Sequence, residues 1–532
     1  MKLQSPKSKH EKNSAPQVLN SQVRTPCAPL LCLEVWCLAL LCNLMFGTWS
    51  FPAAAATAVK RPNILLAIAD DASWPHCSAY GCKWVNTPAF DRVAKMGVLF
   101  THAYSPAPGC SPSRAALLTG RQVWQNEQAA AHASSFPRKW PVYTELLEKA
   151  GYFVGLTQKG WGPGNFKVDG WPHNPAGVAF DNRMLDKRSQ PQGISPDDYA
   201  GNFKDFYAAK PKDKPFCFWY GCKEPHRSYE DGSGLKRGKK TSDVVVPSFL
   251  PDAELVRSDL LDYAVEIEHF DKHLVLMLKF LEEVGELDNT LIVVTSDNGM
   301  SIPRGKANLY DAGTHVPLAI AWPTRVKRGR VIDDFVSHID HAPTFLEAAG
   351  LPVPNTMTGK SLLPMLLSGK SGRVEAWRDR VFTARERHSS ARPNNLGYPI
   401  RAMQTHDFLY IRNFAPDRWP AGDPGPAQKS KTPYGYYDID DGPTKKLLVQ
   451  EKEKYPRFFD LAVAKRPAEE LYDAKIDPGN IHNLANDPRF AEIKRKLAAE
   501  FEAYLKKTGD PRVLGNGDVF ESYPRFGEIR NF

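Results

Sequence analysis

The sequence predicts an α/β protein: a large domain with a mostly parallel central sheet flanked by helices, then a smaller C-terminal α+β domain with an antiparallel sheet. Three observations predict it. Short apolar runs rich in branched residues alternate with stretches of helical periodicity, the pattern of strands joined by helical crossovers. Chemically capable polar residues stand directly after these runs. Beyond Leu351 the alternation gives way to turns and charge, and later stretches read as paired strands and one amphipathic helix. Composition agrees, since 42% hydrophobic and 24% charged residues over 532 positions describe a globular chain too long for one ordinary core.

Residues 1–58 read as a signal peptide with a long leading region. Lys2, Lys7, Lys9, Lys12 and Arg24 precede an apolar stretch from Pro29 to Phe46, and FPAAAATA offers small residues for cleavage around Ala54 to Ala58. A membrane anchor is the alternative, but Glu34 and Asn43 interrupt a run barely long enough to span a bilayer. No stable membrane span is expected after it. The compartment is therefore an exported one: periplasmic, extracellular or lysosome-like. The formal charge is +9, and the first 56 residues hold five basic and two acidic side chains, leaving +6 for the remainder. That balance helps steer an anionic substrate. No recognition-helix or aromatic ribonucleoprotein pattern accompanies it, so nucleic acid is not an expected partner.

The first domain is expected over residues 59–376. Its strands are NILLAIA (Asn63 to Ala69), YFVGLT (Tyr152 to Thr157), FCFWYG (Phe216 to Gly221), LIVVTS (Leu291 to Ser296) and LAIAW (Leu318 to Trp322). Between the third and fourth, Leu260, Tyr263, Ile267, Phe270, Leu274, Met277 and Leu281 recur at steps of three and four, the stripe of a helix packed on a sheet. Asp70 and Asp71 follow the first strand, Lys159 the second, KEPHR (Lys223 to Arg227) the third, and Asp297 with Asn298 the fourth. In open α/β sheets the carboxyl ends of the strands form the ligand crevice, so these residues should gather at one edge. The second domain is expected over 377–532. PIRAMQTHDFLYIRN alternates like an antiparallel pair, PRFAEIKRKLAAEFEAYLKK is an amphipathic helix, and residues 422–446, rich in Gly, Pro and charge, read as a long exposed loop.

Four of the nine cysteines (Cys27, Cys32, Cys37 and Cys42) fall in the leader; Cys77, Cys82, Cys110, Cys217 and Cys222 remain. An odd count in an oxidising compartment sets one thiol aside. Cys77/Cys82 and Cys217/Cys222 share a C-x4-C spacing, compatible with two local disulfides, cross-pairing or free thiols; a zinc site requires both pairs to converge. In every arrangement Cys110 is left over. It precedes a helix opened by Pro112, a residue suited to the first turn. Such a helix start favours an anion or developing negative charge, and Arg114, one turn on, lies on the same side. Asp70, Asp71, Asp297 and Asn298 are hard oxygen donors, a set that selects Ca²⁺, or Mg²⁺, over zinc or copper. Lys159, Lys306 and Arg114 suit a tetrahedral anion, and His226 is a candidate general acid. The basic run Lys236 to Lys240 suits an acidic polysaccharide or simply solvent.

CSPSRAALLTGR (Cys110 to Arg121) resembles the signature of the type I sulfatases of the alkaline phosphatase superfamily, in which Cys-x-Pro-Ser-Arg is read by a maturation enzyme that oxidises the cysteine to formylglycine. Cys110, Pro112, Ser113, Arg114, Thr119, Gly120 and Arg121 all match. KEPHR, VVVPSFLPD, GKANLYDAGTHVP and YPIRAMQTHDFLYIRN most resemble the heparan N-sulfatase (N-sulfoglucosamine sulfohydrolase) branch. The resemblance implies an alkaline-phosphatase-like large domain and a sulfated sugar or glycosaminoglycan substrate, with N-sulfoglucosamine favoured. It implies Ca²⁺ held by Asp70, Asp71, Asp297, Asn298 and the oxidised Cys110, sulfate held by Arg114, Lys159 and Lys306, and leaving-group protonation by His226. Two departures stand out. Where many sulfatases carry a histidine after the motif lysine, this chain has Trp161, and His132 is a candidate substitute from another loop; Glu224 stands where the N-sulfatase pattern has Asp. Glu224, Arg387 and His388 are further expected to contact the sugar. The competing readings are an O-sulfatase or arylsulfatase, a phosphatase or phosphonate hydrolase on the same fold, and a sulfated-glycan-binding pseudoenzyme.

Overall fold

The structure, a computed structural model, describes residues 60–532 apart from 429 and 431. The expected leader and its four cysteines lie outside the described residues. The strands of the first region are β1 (Asn63–Ala69), β2 (Val98–Phe100), β3 (Ala103–Tyr104), β4 (Phe153–Gln158), β5 (Val178–Ala179), β6 (Phe216–Gly221), β7 (Thr290–Ser296), β8 (Leu318–Ala321), β9 (Arg330–Ile332) and β10 (Val336–Ser337). Eight of them form one sheet in the order β5-β4-β6-β1-β7-β8-β2-β9, and β3 pairs with β10 separately. All ladders in the large sheet are parallel except those of β8, which runs against both β7 and β2. β2, β5 and β9 are two or three residues long, too short to leave a period in the sequence.

Both faces of this sheet are covered. Ile64, Leu66 and Ile68 of β1 enter one core and Leu65, Ala67 and Ala69 the other, as strict alternation requires. On the first side lie α2 (Cys110–Thr119), α3 (Tyr143–Lys149) and α6 (His341–Ala348); on the second lie α1 (Pro88–Met96), α4 (Tyr199–Ala209) and α5 (Glu254–Glu283). α5 is 30 residues long, about 45 Å, so it overshoots the sheet. Phe270, Leu274, Met277 and Leu281 cover the strands, whereas Leu260, Tyr263 and Ile267 join a separate core with Leu448, Ala462 and Val463. Its apolar stripe therefore serves two neighbours, not the sheet alone.

The second sheet is antiparallel, with order β11 (Arg380–Arg385), β12 (Ile400–Thr405), β13 (Phe408–Asn413) and β14 (Glu469–Asp473). It begins just beyond the boundary expected at 376. α7 (Ala491–Lys507) lays Phe501 and Leu505 on it, against Phe382 and Tyr410. Both sheets belong to one compact unit, Lys60–Phe532. Cys77, Cys82, Cys110, Cys217 and Cys222 are all free thiols. Cys217 and Cys222 lie in cores on opposite faces of the sheet, which is why the C-x4-C spacing yields no bridge there.

Candidate active site

Parallel pairing builds the floor of the site. Ala69 and Ser296 are partners at the ends of β1 and β7, so the residues that follow emerge level. The Asp71 N–H donates to Asp297 Oδ1 at 3.1 Å, and Asn298 Nδ2 donates to Asp71 Oδ1 at 2.7 Å. Asp71 takes φ 80°, a left-handed conformation unusual away from glycine and typical of functional turns. Asp70, Asp71 and Asp297 each offer a carboxylate oxygen, all within 4.8 Å of one another, and all are buried. The amide oxygen of Asn298 is buried there without a partner. Burial pushes the Asp297 carboxyl up to about 6; Arg114 opposes the shift, and Asp70 and Asp71 add repulsion. Three converging carboxylates and one orphaned amide oxygen fit a hard divalent cation.

Cations surround that floor. Arg114, wholly buried on α2, donates from Nε to Asp297 Oδ2 at 2.7 Å and from Nη1 to the Lys159 carbonyl, and its Nη2 has no partner. The Lys159 ammonium, following β4, bonds Asp70; Lys306 bonds Asp71 Oδ2 at 2.7 Å and lies 3.3 Å from Asp440 Oδ2. Burial raises the Asp70 carboxyl, but Lys159 and then His226, Arg114 and Lys306 outweigh it and hold Asp70 well below the usual carboxylate range. Cys110 is the first residue of α2 after Gly109, an N-cap with no side-chain bond, so the helix start is left open to a ligand. Its Sγ donates to Asp70 Oδ1 at 3.4 Å. Burial raises the thiol pKa, and Asp70 raises it further. As a cysteine it is a protonated thiol, a poor nucleophile.

Above the floor opens a cleft of about 540 Å³ lined by Cys110, His132, Lys159, Trp161, Lys223, His226, Lys306, His388 and Asp440 among others. His226 Nδ1 donates to the Arg227 carbonyl at 2.6 Å, which leaves Nε2 toward the cleft, 3.9 Å from Asp71 Oδ2. A larger cavity, about 830 Å³ and edged by Trp74, Tyr80, Trp84 and Phe249, holds none of these groups. The converging chemistry, not the size, marks the site.

Of the residues expected at the sugar, His388 lines the cleft and two do not. Glu224 is buried and turned inward: its carboxylate accepts from the Ser195 N–H, the Tyr199 hydroxyl and the Cys222 thiol. Its role is to fold the loop after β6, whose Glu224 carbonyl accepts the Asp70 N–H at 3.0 Å. Arg387 is likewise buried, donating to the carbonyls of Tyr523 and Pro524. Trp161 is buried beside α2 and donates from Nε1 to the Ser111 carbonyl. His132 reaches the cleft with its ring 4.7 Å from that of His388. Arg525 fastens the two together, donating from Nη1 to the carbonyls of His132 at 3.3 Å and His388 at 2.9 Å.

Lys223 reaches the cleft from the KEPHR stretch, as expected of residues that follow that strand, whereas sequence reasoning missed Asp438 and Asp440. The last two come from the stretch 422–446, expected to be an exposed loop. Its far half folds inward instead, burying Tyr436, Tyr437, Asp438 and Ile439. The available signal was DID, an apolar residue flanked by aspartates in an otherwise polar stretch.

Comparison with known proteins follows the same outline. The family model described as Sulfatase matches residues 62–351, and that described as N-sulphoglucosamine sulphohydrolase, C-terminal, matches residues 305–419. An ulvan-active sulfatase of Formosa agariphila is 30% identical over 458 residues, covering 85% of this chain and 81% of its own. The N-sulphoglucosamine sulphohydrolase of Homo sapiens is 30% identical over 506 residues, covering 87% and 93%. A structure solved with its substrate D-glucosamine-2-N,6-O-disulfate superposes with a TM-score of 0.60 at 21% identity, covering 85% of this chain and 99% of its own. The phosphonate monoester hydrolase of Agrobacterium radiobacter gives 0.61 at 19% identity, covering 85% and 97%. The last two establish the alkaline-phosphatase-like fold. Motif, site and full-length relatives agree, and the chain belongs to the sulfatase family, hydrolases of sulfate esters and sulfamates.

Proposed function

We propose that this protein is an exported sulfatase that removes sulfate from a sulfated sugar or glycosaminoglycan, with an N-sulfoglucosamine end as its favoured substrate. One observation carries the reading: Cys110 stands at an open helix start, within reach of Asp70 and ringed by Arg114, Lys159 and Lys306. A buried, protonated thiol has no use there as a nucleophile, which supports its conversion by a maturation enzyme to formylglycine. Hydrated, that aldehyde supplies one hydroxyl to attack sulfur and a second through which sulfate is later released.

Asp70, Asp71, Asp297 and Asn298 would hold Ca²⁺, which when bound supplies Lewis acidity and offsets negative charge on the sulfuryl oxygens. The chain's own cations act in the same direction. Lys159, Lys306 and Arg114 are fixed by buried partners before substrate arrives, so little reorganisation accompanies the transition state. His226, oriented by its Nδ1 bond to the Arg227 carbonyl, presents Nε2 to protonate the departing nitrogen or oxygen. Preference for the N-sulfated sugar is supported by the C-terminal family match and the human relative.

Two measurements test this. Mass spectrometry of the Cys110 peptide, from protein made with a maturation enzyme, should find formylglycine. Sulfate release from N-sulfoglucosamine should exceed release from 6-O-sulfated glucosamine and from a matched phosphate ester. An unmodified cysteine, or faster phosphate release, would sink the proposal.

A further inference from the structure

Trp161 occupies the place after Lys159 where a histidine is expected, and its indole is committed to the Ser111 carbonyl. No proton acceptor comes from that loop. His388, which lines the cleft with Cys110, has the features of one. Its Nδ1 lies 3.3 Å from Asp438 Oδ1, which also accepts the Ser389 N–H and hydroxyl at 2.9 Å each. Asp438 Oδ2 accepts a hydrogen bond from Arg385 and forms an ion pair with Arg392, whose Nη1 lies 2.8 Å away. A carboxylate so held fixes the proton on Nδ1 and leaves Nε2 its lone pair. That Nε2 is buried with no partner of its own.

The ring also lies against the peptide that leads into residue 110. A Cβ added to Gly109 would stand 3.0 Å from His388 Cδ2 and 3.6 Å from Nε2. Gly109 is extended at φ −164°, a conformation open to any residue, so what a side chain there would meet is not backbone strain but this approach, which the ring could relieve only by shifting a few tenths of an ångström. Of the other imidazoles in the cleft, His226 is assigned above to the leaving group, and the buried Nδ1 of His132 has no partner.

We infer that His388, oriented by Asp438, is the base that completes turnover by releasing sulfate from residue 110. The inference rests on the formylglycine reading above. Once sulfur has been transferred to one hydroxyl of the hydrated aldehyde, the remaining hydroxyl gives its proton to His388 Nε2. The electrons of that O–H bond form the carbonyl, the carbon–oxygen bond to sulfate breaks, and sulfate departs with its electron pair. Water then takes the proton from Nε2, restoring both aldehyde and base.

The test separates the two halves of turnover. His388→Gln, expressed with the maturation enzyme, should release one leaving group per enzyme from an aryl sulfate and then stall. The peptide holding residue 110 should carry a sulfuryl group, and steady turnover should drop at least a hundredfold. Gly109→Ala, which displaces the ring without altering it, should show the same burst with a smaller loss. Formylglycine content and thermal unfolding are measured on both, so that a maturation or folding defect is recognised. Turnover by a matured, folded His388→Gln at the parent rate would overturn the inference, as would loss of the burst itself or a burst in His132→Gln alone. If the parent protein carries no formylglycine, the underlying reading fails instead.

Discussion

Asp71 and Asn298 meet because two neighbouring parallel strands end level; Asp440 reaches the same cleft, and Asp438 stands behind its His388, from the stretch that links β13 to β14 in the second sheet. The floor is thus a product of local register, and the wall a product of long-range closure. Floor residues are wholly buried and bonded chiefly to one another, whereas the wall combines fixed residues such as Asp438 with partly open ones such as Lys223 and Asp440. Floor geometry should therefore govern chemistry, and wall geometry should govern which sugar is accepted and how turnover ends.

The strongest way to break this division is Asp297→Asn. It removes a floor carboxylate and leaves Arg114 buried without its counter-ion. Turnover should fall roughly a hundred- to a thousandfold, and the urea-derived stability by about 3–5 kcal/mol. A variant as stable as the parent would show that the floor charges do not depend on one another. Metal removal comes next. At a hundredfold excess over its Kd, Ca²⁺ should add about 2.7 kcal/mol relative to chelator, read by urea unfolding. Superimposable curves with and without the ion would remove it from the floor.

Asp440→Asn sharpens the contrast from the other side. Burial raises this carboxyl, but Lys306, His226 and His388 hold it well below its usual range, leaving an ionised acceptor in the cleft. Losing one charge-assisted hydrogen bond of about 1.5 kcal/mol should raise KM about tenfold, with kcat far less affected and the Ca²⁺ response intact. A fall confined to kcat would move Asp440 from substrate recognition to chemistry. The smallest effect is expected of Glu224→Gln. Its carboxylate serves three internal donors, so stability should drop by about 1 kcal/mol while KM for the sugar stays put. A large rise in KM would return Glu224 to the cleft.

What could be read in the sequence follows the same division. Asp70, Asp71, Asp297 and Asn298 were legible because each pair stands immediately after a strand built on an apolar run, ILLAIA or LIVV, and the parallel sheet such runs predict brings their ends together. Lys159 was legible for the same reason, and Cys110 through its motif and its lack of a partner. Asp438 and Asp440 were not, because DID is a faint signal inside a Gly-, Pro- and charge-rich stretch, and the partners that hold these two, Arg385, Arg392 and His388 for the one and Lys306 and Ser301 for the other, are distant in sequence. Glu224 and Arg387 were misread in the opposite sense. Polar residues beside a site need not face it, and here internal carbonyls, hydroxyls and amides claim both. The overshoot of α5 was equally silent, since an apolar stripe gives the width of a buried face and not the number of partners beneath it.

Arg525 gives the wall of the cleft an unexpected dependency. Its guanidinium clasps the main chain of His132 and His388 together, and the neighbouring Phe526 N–H bonds the Ala133 carbonyl. Trimming the tail upstream of this clasp, whether by a protease or by design, would reshape the cleft from a distance of hundreds of residues, even though every side chain that lines it stayed in the chain.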